Sequence, residues 1–272
     1  MKGTTNGAVR RRMTLSLTVL GAVVVLGLVG VGAGVFGPGH PPAETSASET
    51  TAPPSPNAPD APDSQNAPNA NFAGETALAV LSTLDVKGRA PKTGYQRTAQ
   101  FGEAWLDVDR NGCDTRNDIL ARDLAGVVRS GSCKVLSGVL VDRYTGTTID
   151  FVRGNTTSTL VQIDHVVALS DAWQTGAQLL TESERISLAN DPLNLWATDG
   201  ATNQQKGDGD AATWLPPAKG FRCEYAARQI SVKATYGLWV TQAEHDALAG
   251  ILASCPDQPS VSSTLAPAAG GR

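Results

Sequence analysis

The chain has 272 residues, with 22 Lys and Arg against 26 Asp and Glu, a formal net charge of −4 and only 5% aromatic residues. That balance excludes a protein that holds nucleic acid by bulk positive charge, because phosphate contacts dominate non-specific affinity. Of the three histidines, His40 falls in a Pro-rich stretch, so a zinc centre held by three imidazoles is excluded too.

Lys2, Arg10, Arg11 and Arg12 precede an uncharged run from Met13 to Phe36. Such a run is long enough to span a bilayer, and the positive flank stays cytoplasmic and sends the rest outward. Residues 1–36 are therefore expected to be a signal peptide or an N-terminal transmembrane anchor. Both stay open, since no A-x-A pattern closes the run. Residues 37–73 are Pro, Ala, Ser and Asn with few large apolar side chains, a composition that cannot offset its ordering entropy. They read as a disordered linker, and residues 257–272 as a disordered tail. The span 74–256 is the size of one domain. It holds all four cysteines, and an even count in an exported chain implies disulfides. Of the three possible pairings, the sequence-near one, Cys113–Cys133 with Cys223–Cys255, is expected. A four-thiolate zinc site lacks the C-x-x-C pair it needs.

Within that span, helical spacing of apolar residues predicts a helix over 75–84 and another over 115–128. The segment 107–114 reads as a polar turn with Asx hydrogen bonds rather than an EF-hand, because the terminal Glu is missing. Residues 135–140 and 147–151 flank Asp142-Arg143-Tyr144-Thr145-Gly146 as a hairpin, and 159–167 alternates as a half-buried strand. Ser170-Asp171 is placed to cap a helix through Trp173, and 181–188 is amphipathic. Residues 193–197 are a short strand, and Asp199 sits as N-cap of a helix carrying Asn203 and Lys206. Two helices, 220–236 and 241–252, close the domain. The class is α+β, a small antiparallel sheet with peripheral helices, stapled by disulfides.

The chemistry concentrates in Gln162-Ile163-Asp164-His165, Asn194-Leu195 and Asn203-Gln204-Gln205-Lys206. A neutral imidazole is the side chain best suited to take a proton from water near pH 7. His165 is the candidate, with His245 on an exposed helix face. Asp164 and Asn203 offer hard oxygen ligands for a divalent cation. Lys206, Arg116 and Arg122 could hold phosphate, or could pair with Asp208, Asp118 and Asp123.

Asp-His on one strand, Asn-Leu on the next, then Asn and Lys nine and twelve positions later, resembles the HNH nucleases of the ββα-metal superfamily as an H-N-N variant. The runs Asp109 to Asp118, Gln162 to Leu169 and Lys206 to Trp214 extend the similarity to a group of exported bacterial HNH proteins. The resemblance implies a divalent-metal-dependent endonuclease acting on DNA or RNA outside the cytoplasm. His165 would be general base, Asn194 its positioning residue, and Asp164 and Asn203 ligands of one ion, Mg²⁺ before Mn²⁺, Ca²⁺ or Zn²⁺. Here 28 residues separate His165 from Asn194, against about a dozen in typical members. This reading expects His165 and Asn203 to converge on one cation-sized gap. Two alternatives stay open: a non-catalytic surface-binding module that keeps the fold, and a hydrolase of another phosphodiester polymer. A membrane contact is expected only through the N-terminal segment, and no protein partner is implied.

Overall fold

The computed structural model describes residue 72, residues 74–154 and 157–263, and residue 265. The apolar run at 13–36 and nearly all of the expected linker lie outside the described residues. Among the described residues no helix is long and apolar enough to cross a membrane.

Helix α1, Ala77–Leu81, starts where the Thr76 hydroxyl accepts from Ala79 N at 3.2 Å, the side-chain capping that removes one orphan donor. Helix α2, Arg97–Phe101, has no side-chain cap and buries only Phe101. It leaves no periodic stripe for the sequence to show. Helix α3, Thr115–Asp123, is capped by Asp114, whose carboxylate accepts from Asn117 N at 2.9 Å.

The helix expected over 115–128 ends at Asp123, and the chain turns directly into strand β1, Leu124–Ser130. Gly126, Val127 and Val128 disfavour helix there, and the extended form gains a partner. β1 pairs antiparallel with β2, Lys134–Val141, through a register shift between Ala125 and Val128. β2 pairs with β3, Thr148–Val152, as the expected hairpin. The buried Asp142 carboxylate ties its turn, accepting from Thr145 N at 2.9 Å and from Thr198 Oγ1 at 2.7 Å.

Strand β4, Val161–His165, pairs antiparallel with β5, Leu195–Asp199, in a separate two-stranded ribbon. Between them lie α4, Leu169–Gln174, and α5, Glu182–Asn190, the latter opened by a Thr181/Glu184 capping box. Ala168, not Ser170-Asp171, occupies the α4 N-cap. Asp171 is buried and pairs with Arg89 at 2.7 Å and Lys233 at 3.3 Å. A buried carboxylate is costly unless it is paired, and Arg89 and Lys233 supply that pairing inside the fold. Asp199 caps α6, Gly200–Lys206, accepting from Thr202 N at 2.7 Å. Helices α7, Arg222–Thr235, and α8, Gln242–Leu252, close the fold.

The β4–β5 ribbon is covered on both faces. Ile163, Leu195 and Ala197 pack against Ile119, Leu120 and the three-stranded sheet. Trp196, on the other face, packs with Tyr144, Tyr225 and Val166. Alternation along β4 therefore decides where each polar neighbour points.

The expected tail does not stop packing at Cys255. Ser260 Oγ donates to Phe72 O at 2.8 Å, Val261 N donates to Ser231 Oγ at 2.9 Å, and Ser263 Oγ bonds Asp191. Both disulfides, Cys113–Cys133 and Cys223–Cys255, are the sequence-near pairs. Closing loops of this length restricts the unfolded chain, a contribution of roughly 3–4 kcal/mol each in the chain-entropy account. Converting Cys223 and Cys255 together to Ser should lower unfolding stability by roughly 2–5 kcal/mol, read as a fall in the urea midpoint. An unchanged midpoint would show that this bridge adds nothing.

Candidate active site at the end of strand β4

His165 closes β4 and is 6% exposed. Its Nε2 lies 2.8 Å from Ala189 O, at the end of α5. A carbonyl oxygen only accepts, so Nε2 carries the hydrogen and Nδ1 keeps its lone pair. No protein group among the described residues bonds Nδ1. Trp105 lies nearly parallel to the imidazole, at 17° with ring centroids 6.2 Å apart. Among the described residues Trp105 is also one of two non-glycine residues with positive φ, at 65°. That conformation costs on the order of 1–3 kcal/mol and persists only where surroundings enforce it.

The ring borders a pocket of about 40 Å³ lined by Arg97, Gly102, Glu103, Trp105 and Asn190 among others. A water needs roughly 10–15 Å³ of such space, so the pocket admits a few waters and not a nucleotide. Burial, with Arg97 as the second cause, pushes the imidazole pKa down to about 3. His165 is therefore neutral across the working range, the form that accepts a proton.

Asn194 is fully buried. Its Oδ1 accepts from Val167 N at 2.8 Å, its Nδ2 donates to Val167 O and Leu188 O at 3.3 Å each, and its own carbonyl accepts from Val166 N at 2.8 Å. The two residues following His165 and the end of α5 are thereby held together. Two arginines brace this turn from outside. Arg122 donates to Pro192 O at 2.9 Å and Leu195 O at 2.6 Å. Arg228 donates to Pro192 O and Leu193 O and lies 4.0 Å over the Trp196 ring.

Asp164 turns to the opposite face of the ribbon. Tyr144 Oη donates to its Oδ2 at 2.6 Å, and Lys206 Nζ lies 3.0 Å from both oxygens and donates to His165 O at 2.7 Å. Burial raises the Asp164 pKa, while Lys206 and Tyr144 oppose that rise. Asn203 Nδ2 donates to Gln162 Oε1 at 2.9 Å, on that same face. Its Oδ1 has no partner among the described residues. The expected convergence of His165 with Asn203 is thus replaced by two half-sites back to back, joined by the 164–165 backbone.

This placement decides which residues suit a divalent ion. Among the described residues no three His, Cys, Asp or Glu side chains come together as a cage. The Asn203 carbonyl oxygen suits a hard cation that keeps most of its waters. Asp164 suits it only once the Lys206 ammonium, itself the cation at this carboxylate, has moved away.

The three cations expected at phosphate are otherwise engaged. Lys206 is buried against Asp164, Arg122 holds Asp123 and the Asn194 turn, and Arg116 donates to Val161 O at 3.2 Å. Sequence reasoning named none of Arg97, Trp105 and Ala189 as functional. A backbone carbonyl leaves no residue-type signal, and α2 has no pattern. Asp107, Asp109 and Asn111 form the expected Asx turn, with Asn111 N donating to Asp107 at 3.1 Å and Asp109 at 3.2 Å.

Residues 114–251 match the family described as the C-terminal domain of GmrSD restriction endonucleases. A protein of Arthroderma benhamiae, named an uncharacterized secreted protein, is 40% identical over 185 residues, 67% of this chain and 86% of that relative. No solved structure matches the chain. The chain belongs to the family of GmrSD restriction endonuclease C-terminal domains. The relative is fungal, so the likeness is not confined to the bacterial proteins expected from the sequence.

Two outcomes follow from this geometry. Lys206→Ala should cost about 3–5 kcal/mol of stability by stranding the buried Asp164 charge, whereas a surface phosphate contact would leave the urea midpoint unchanged. His165 has a folded pKa below its unfolded value. Its contribution is therefore complete above pH 6.5 and is lost as pH falls toward 3. The parent should lose stability more steeply than His165→Asn across that window, and parallel curves would contradict the buried neutral ring.

Proposed function

We propose that this protein is an exported endonuclease that hydrolyses phosphodiester bonds of DNA, with RNA as a second substrate. One observation carries the reading: the imidazole is fixed through Nε2 by Ala189 O, its Nδ1 has no hydrogen-bond partner among the described residues, and the ring lines a small pocket. Family membership and the relative's name as a secreted protein support the substrate class and the export. The two disulfides agree with an oxidising setting outside the cytoplasm. Residues 1–36 would be its signal peptide or anchor, and the only membrane contact.

In this reading β4, β5 and α6 are the strand-strand-helix unit of an HNH fold in its H-N-N form. A water in the pocket gives its proton to His165 Nδ1 as its oxygen bonds phosphorus, and the bond to the leaving oxygen breaks. Asn194 keeps the ring in place through the backbone at 166–167, and Trp105 limits access of bulk water. A divalent cation, Mg²⁺ foremost, would supply charge neutralisation on the phosphate and the leaving oxygen. The residues offered for it, Asn203 and Asp164, lie on the face of the ribbon opposite the His165 pocket, with Lys206 already at the carboxylate, so in this arrangement they do not set a cation against the same phosphate.

The test is plasmid cleavage by the disulfide-intact protein with Mg²⁺, with EDTA, and with the His165→Ala and Asn203→Ala variants. General-base removal should slow nicking on the order of 10²–10⁴-fold, and EDTA should abolish it. Equal nicking by His165→Ala and parent would remove His165 from the mechanism. No nicking by a folded parent would favour the non-catalytic binding module.

A further inference from the structure

We propose that Arg97 is the residue that receives the scissile phosphate, holding it at the mouth of the His165 pocket. This rests on the nuclease reading and names a contact that the reading lacks, since Lys206, Arg116 and Arg122 are engaged elsewhere. Arg97 is exposed at the start of α2 and lines the same pocket as His165. It is the one Lys or Arg in that lining, and no hydrogen bond or ion pair occupies its guanidinium among the described residues. Glu103 lines the pocket as well, yet no ion pair joins the two.

The pocket of about 40 Å³ has room for the attacking water and not for a nucleotide, and a planar guanidinium on its lining can meet two phosphate oxygens at once. The backbone from Arg97 to Trp105 is shaped for the purpose. Gly102 has φ of 76°, and a Cβ there would meet Ile186 Cγ1 at 3.0 Å, while Trp105 is held at φ of 65°. That strained strap sets Trp105 against the imidazole and Arg97 at the opening. Arg97 and Trp105 both precede the residues that define the family match, 114–251.

The experiment measures affinity for a fluorescein-labelled DNA duplex by anisotropy, using His165→Ala protein with Arg97 intact, Arg97→Ala or Arg97→Lys. Parent cleavage and thermal melting are run beside it. Arg97→Ala should weaken binding about tenfold and flatten the slope of log affinity against log salt by about one, at unchanged melting temperature. Arg97→Lys should restore the salt slope and part of the affinity. Equal affinity and slope for the Arg97→Ala and Arg97-intact proteins would overturn the assignment, even where the parent cleaves DNA. A parent that binds through Arg97 yet fails to cleave would sink the nuclease reading and leave the anion site standing. A duplex that binds none of the proteins would end both.

Discussion

A single hydrogen bond, from His165 Nε2 to Ala189 O, determines what the candidate site can do. It selects the tautomer and leaves the other nitrogen free, while burial keeps the ring neutral. Without that carbonyl, the imidazole would be one more buried polar group in search of a partner. The long connection between β4 and β5 exists, in this light, to bring the end of α5 back over the strand that carries the histidine.

Much of the remaining architecture steadies that carbonyl. Asn194 bonds the Leu188 carbonyl, one residue before Ala189, and also both polar backbone groups of Val167. Arg122 and Arg228 hold the carbonyls of residues 192, 193 and 195 from two directions. Fixed groups of this kind need no reorganisation when charge develops, which is the main advantage of a preorganised site. Across the ribbon, the Lys206–Asp164–Tyr144 group ties α6 and the β2–β3 turn to the same strand. Its buried charge pair resists substitution of either partner, so one face of β4 anchors the strand while the other carries His165.

The sequence revealed those parts whose cause is local. Asp199 as an N-cap, the Asp107–Asn111 Asx turn, the hairpin around residues 142–146 and the short-range disulfide pairing each depend on neighbours a few to thirty residues apart. Asn194 was recognisable because its spacing to Asn203 and Lys206 is fixed by a strand and a helix start. What escaped depends on distant partners. Leu124 to Val128 has a helix-like apolar spacing, and only pairing with β2 makes it a strand. Lys206 reads as an exposed helix-end cation until Asp164, 42 positions earlier, is found beside it. Arg97 and Trp105 sit in a stretch with no periodicity, and their relation to His165 is wholly tertiary. Alternation along β4 was legible, but not its consequence that Asp164 and His165 serve different faces.

The most direct check on the account is the tautomer and charge of His165 by ¹⁵N-resolved NMR of the imidazole, followed from pH 8 to pH 4. A ring that stays neutral throughout, with hydrogen on Nε2 and an unprotonated Nδ1, is the expected result. Hydrogen on Nδ1 would mean that the Ala189 carbonyl does not hold the ring, and titration to imidazolium near pH 6.5 would mean that the ring is not buried as described.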